Sequence, residues 1–165
     1  MLLFTFLKQN TTSFMKRFLF LIITTFLLIH CKNNSETNNY SVGQEWSYKT
    51  RPGEEKSTLK ILKIEEYPQT GKVIHISIGG FQIRSAASPK VLAHEFTHIP
   101  ISEKALSESV TELKNEKVPL PKFMEGYTYW KKEFDKGQAG IFSISVAEIM
   151  SQMEEGILTG KGLIE

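Results

Sequence analysis

Between residues 74 and 78 the chain reads Ile-His-Ile-Ser-Ile. Strict alternation of this kind puts every isoleucine on one side of an extended chain and predicts a strand buried on one face. A strand cannot satisfy its own backbone groups, so such a segment obliges others to pair with it. Trp46 and Tyr48, alternating with Ser47 and Lys49, form one candidate. Leu59, Ile61 and Ile64 form another, and Leu62 interrupts its alternation, which predicts a bulge there. Arg51-Pro52-Gly53-Glu54 and Pro68-Gln69-Thr70-Gly71 carry turn chemistry. Gly79-Gly80 reads as a two-residue hairpin turn returning through Phe81-Gln82-Ile83-Arg84. The expectation is a four-stranded antiparallel meander with one apolar face.

The second half changes period. Ser102 is a good N-cap, flanked by Ile101 and Leu106 in the arrangement of a hydrophobic staple. Leu106, Val110 and Leu113 follow at helical spacing until Val118-Pro119-Leu120-Pro121. Phe123, Tyr127, Trp130 and Phe134 line one face of a second predicted helix, read as core, with Gly137 as its stop. Ile141 to Ile144 is a candidate fifth strand. Ser145-Val146-Ala147-Glu148 is a capping box opening a third helix, with Val146, Ile149, Met150 and Met153 apolar and Gly156 as its end. Strands followed by helices give an α+β class, with four to five strands and about three helices packed on one face of the sheet. The expected domain covers residues 40–158.

The N-terminal stretch has a different logic. Met15-Lys16-Arg17 is a basic start, and Phe18 to Ile29 holds only Thr24 and Thr25 as polar residues. The apolar run is shorter than the roughly 20 residues of a spanning helix and reads as a secretory signal over residues 1–30, with Met15 its expected true start. The chain has one cysteine, Cys31, so no disulfide framework within it is possible. Residues 32–39, Lys-Asn-Asn-Ser-Glu-Thr-Asn-Asn, lack any large apolar side chain and, with Cys31, read as a flexible tether over 31–39. Leu28-Ile29-His30-Cys31 resembles the lipobox of bacterial lipoproteins, although a small residue is usual where His30 stands. That resemblance implies a lipidated Cys31, carrying a diacylglycerol thioether and an acyl chain such as palmitate, and anchorage to a membrane of the cell envelope.

Charge narrows the partners. The whole chain carries +2, but Lys8, Lys16 and Arg17 lie in the first 30 residues, which hold no acid; removing them leaves 17 basic against 18 acidic residues. A mature domain so balanced has no basic excess for nucleic acid. The expected function is therefore that of a lipid-anchored binding or interaction domain of unknown biochemical activity, with a membrane-anchored zinc metallopeptidase as the alternative.

One motif points elsewhere. His94-Glu95-Phe96-Thr97-His98 matches the zincin pattern. On a helix the two histidines would share one Zn²⁺, and Glu95 would act as general base on a metal-bound water. Against it, Pro100 disfavours helix at Ile99, no third ligand is specified beyond the neighbouring Glu112 or Glu116, and three fixed positions are a weak signal. The expectation is a loop or short helix over Pro89 to Ile101, without metal. Arg51 with Glu54 is expected to form a surface pair, His75 to face away from Ile74 and Ile76, and Arg84 to lie beside the sheet.

Across the mature domain, Gly43-Gln44-Glu45-Trp46-Ser47-Tyr48 through Gly53-Glu54, then Ile74 to Ile78, His98 to Ser102, and Gly126-Tyr127 with Trp130, Phe134-Asp135 and Gly137 to Phe142 resemble a family of small, mostly cytoplasmic bacterial proteins to which no activity attaches. His98 carries over to that pattern and His94 does not, which implies that the zincin match is local. A lipoprotein signal departs from most of that family.

Overall fold

The computed structural model describes residues 39–85 and 91–160. The signal, Cys31 and nearly all of the tether lie outside them. Five strands and three helices follow in order: β1 (Glu45–Tyr48), β2 (Thr58–Tyr67), β3 (Gly71–Arg84), β4 (Val91–Ser102), α1 (Glu103–Ser109), β5 (Val110–Asn115), α2 (Met124–Phe134) and α3 (Val146–Thr159). The strands form one antiparallel sheet in the order β4-β3-β2-β1-β5. The class is α+β, as the sequence leads one to expect.

Four expected elements are corrected. Gly79-Gly80 is not a hairpin. β3 runs straight through it, and its pairing with β4 shifts register there. Gly80 has φ +83°, and a Cβ on it would meet the Lys56 carbonyl oxygen at 2.9 Å, so glycine serves a close backbone approach inside a strand. The segment expected as a loop or short helix is, from Val91 on, strand β4. The helix begun at Ser102 lasts only seven residues before Val110 and Leu113 pass into β5 and pair with Tyr48 and Trp46. Ile141 to Ile144 contributes only an isolated bridge, Ile101 to Phe142, and the fifth strand is β5.

The caps behave as read. The Ser102 hydroxyl accepts from the Ala105 amide, and Ser145 with Glu148 forms a complete capping box. The third helix passes Gly156 and stops at Gly160, in the left-handed region at φ 67°.

Leu59, Ile61, Ile74, Ile76, Ile78, Ile83, Ile99 and Ile101 are fully buried in one cluster with Ala105 and Leu106 of α1 and Val146, Ile149 and Met150 of α3. That is the apolar face of the sheet. Leu62, Val73 and Trp130 are also buried but stand outside this cluster. They mark the opposite face, which α2 covers, so the helices divide between two faces instead of sharing one. The reason is the aromatic stripe. Trp130 and Phe134 stack on each other at 4.6 Å, and Phe134 also meets Tyr67 of β2 at 5.1 Å, so the stripe needs a surface of its own.

Candidate functional site

Under α2 the sheet presents polar side chains beside aliphatic ones. His75 is fully buried between Ile74 and Ile76 and points to the other side, as strand alternation requires. Its two partners arrive there through bulges. On β2, Ile61 pairs with Ile76 and Lys63 with His75, so Leu62 is an extra residue against β3. Ile61 and Ile64 then share the apolar face, while Lys63, Glu65 and Tyr67 turn toward α2. On β4, Phe96 pairs with Ile78 and Ile99 with Ile76, three positions against two. Phe96 and Ile99 both face the apolar cluster, and His98 is turned to the second face beside His75.

The result is a linear polar chain. His75 Nε2 lies 3.0 Å from Glu65 Oε2, and His75 Nδ1 lies 2.9 Å from His98 Nε2. The imidazole centroids are 5.1 Å apart with planes 19° from parallel. With a 2.9 Å nitrogen contact, that means the rings meet edge to edge and not face to face. Glu65 also receives the Tyr127 hydroxyl at 3.1 Å, the Tyr67 hydroxyl at 3.2 Å and the Lys63 ammonium at 3.1 Å. Tyr127 and Trp130 close over the histidines, their rings 5.2 and 4.8 Å from that of His75.

The electrostatics set the proton positions. Burial raises the Glu65 carboxyl, but the hydrogen bonds from Lys63, Tyr127 and Tyr67 outweigh it and hold the group below its ordinary value. An ionised carboxylate only accepts, so His75 donates from Nε2 and its Nδ1 must accept from His98 Nε2–H. Desolvation lowers His75 despite the nearby Glu65 carboxylate, and desolvation together with His75 lowers His98 to about 4. Both rings are neutral at pH 7, so the Glu65 contact is a charge-assisted hydrogen bond and not an ion pair. Tyr67 and Tyr127 are both raised, by burial and by Glu65. Chemically, the arrangement can hold a proton and pass it along the line from Glu65 to His98.

The zincin residues are not brought together. His94, Glu95 and His98 lie on a strand, where four residues span about 13 Å instead of one helical turn. His98 faces His75, whereas His94 and Glu95 are exposed. Among the described residues no group of three or more His, Cys, Asp or Glu is placed to hold a metal ion. Arg51 does pair with Glu54, and it also reaches Glu154 of α3 at 2.6 Å, tying the β1–β2 turn to that helix. Arg84 donates to Gln82. Glu112 and Glu116 are exposed. The sequence pattern singles out none of Glu65, Lys63 and Tyr67, and places Tyr127 only in an apolar helix face. The signal for the first three was the bulge at Leu62, which moves those alternate residues to the face of His75.

Compared with protein-family models, with curated proteins and with solved structures, the chain matches none. No helix among the described residues is long and apolar enough to cross a membrane.

Proposed function

We propose that this chain is a lipid-anchored lipoprotein of the bacterial cell envelope, attached through Cys31, whose α+β domain works by binding and not by catalysis. The observation that carries the reading is the order of segments: basic Met15-Lys16-Arg17, apolar Phe18 to Ile29, Cys31, a polar tether, and a fold already under way at buried Tyr40. More than one acyl chain on a single cysteine gives stable attachment without a spanning helix. The domain's balanced charge favours a protein or small-ligand partner over nucleic acid. The most elaborate polar cluster also suits this reading, because Glu65, His75 and His98 are turned toward one another and toward α2. Zinc hydrolysis through His94, Glu95 and His98 draws no support from a strand.

Growth with labelled palmitate tests the anchor. The chain should take up label and partition with membranes, and Cys31→Ser should abolish both. Equal labelling of the Cys31→Ser variant would overturn the proposal.

A further inference from the structure

We propose that α2 is an acid-released cover, packed over the His75–His98 pair of the sheet and lifted from it when both rings carry a proton. The argument starts from the nitrogen contact. His75 Nδ1 and His98 Nε2 stand 2.9 Å apart, nearly in line, so one must be a lone pair and the other an N–H. One added proton is tolerated. It settles on His75, beside the Glu65 carboxylate, and His75 Nδ1–H then donates to His98 Nε2. A second proton is not. Two N–H groups would face each other across the same distance in a space closed by the Tyr127 and Trp130 rings.

The charges around the pair sharpen the effect. From β2, Lys63, Glu65 and Tyr67 face it; β3 supplies His75 and β4 His98; α2 brings Tyr127 and Lys131, the latter paired with Asp135. Lys63 lies over the Tyr127 ring at 5.2 Å and Lys131 over the Tyr67 ring at 5.8 Å. Two imidazolium ions would join two ammonium groups against Glu65 and the outlying Asp135. The lowered affinity of both rings for protons is consistent with a folded state that resists this charge.

The helix is built to leave. No side chain caps its N-terminus at Phe123, and Trp130 Nε1 donates to Gly140 in its own following loop, not to the sheet. A polar tie to the sheet runs from the Tyr127 hydroxyl to Glu65, the carboxylate that anchors the histidines. The main apolar cluster includes no residue of α2, so that cluster can persist without it. Release would uncover His75 on the sheet and Trp130 on the helix, both buried and in ring contact at 4.8 Å.

Amide hydrogen exchange on the full-length chain in detergent, read from pH 7 to pH 4, tests the proposal. Protection over residues 124–134 should fall by up to about tenfold per pH unit for each proton taken up, while β2 and β3 stay protected. His98→Gln keeps a donor for His75 and can turn its amide to present oxygen, so it should abolish the acid step and leave neutral-pH protection intact. Nitrogen chemical shifts of the two imidazoles in the unmutated chain give a second reading, independent of any variant: the second protonation should coincide with loss of helix protection. Protection of 124–134 that persists after both rings titrate, or that falls together with the strands, or that falls unchanged in His98→Gln, overturns the proposal.

Discussion

The two faces of the sheet are stabilised by different physics. One is closed by aliphatic and aromatic side chains from five strands against α1 and α3. The other is closed by α2 over a carboxylate, two imidazoles, an ammonium group and aromatic rings. Apolar burial, at about 25 cal/mol per Å², is indifferent to protonation. A buried polar line is worth its hydrogen bonds only while each donor meets an acceptor. The apolar face therefore sets whether the domain folds, and the polar face sets under which conditions its cover stays in place.

Breaking the apolar face should have the largest effect. Ile76→Ala removes a fully buried side chain from the cluster centre and should cost about 2–5 kcal/mol in denaturant unfolding. Its cost should not change between pH 7 and pH 5. On the polar face, His75→Ala strands Glu65 and His98 without their shared partner and should cost about 1–3 kcal/mol, with exchange rising first over 124–134. The pH dependence separates the faces directly. His98 takes up protons less readily folded than unfolded, about 4 against an ordinary 6.5. The unfolded chain therefore binds more protons as pH falls from 6.5 toward 4, and folded stability must decline over that window. A flat stability profile there in thermal melts would mean that the histidines are not buried as a pair. Ser145→Ala removes the capping box of α3 on the apolar side and should lower stability by about 1 kcal/mol at any pH above the carboxylate range. Tyr67→Phe takes one of several donors from Glu65 and should cost the least, about 0.5 kcal/mol, the low end for one hydrogen bond, with α2 still docked at pH 7.

What the sequence disclosed follows the same division. The alternation at Ile74 to Ile78, the bulge at Leu62, the aromatic stripe and both serine caps were legible because each depends on residues close in sequence. The errors share one cause. Val110 and Leu113 are three apart, which is a helical interval, yet they pair with Tyr48 and Trp46, which are two apart. A bulge produces that mismatch, and Phe96 with Ile99 repeats it on β4. An extra residue in a strand imitates helical spacing, so periodicity alone misassigned β5 and left β4 unread. Gly79-Gly80 misled for a related reason: glycine needed for a close backbone approach looks the same in sequence as glycine needed for a turn. The polar site was only half visible. His75 could be placed on the far face by parity and Glu65 by the bulge at Leu62, but His98 reaches it only through a bulge on β4, a strand that the sequence pattern did not mark.

Those irregularities bear on the sheet's edge as well as on the site. A straight, flat edge strand invites the same strand of a neighbour to pair with it. β4, at the sheet's edge, breaks step with β3 more than once. Near its end, the Pro100 carbonyl accepts from Phe142 on the side away from β3, so the proline's hydrogen-free nitrogen faces outward too. The bulge that swings His98 inward thus also spoils the template for edge-to-edge pairing, and one extra residue serves both the polar cluster beneath α2 and the edge of the sheet.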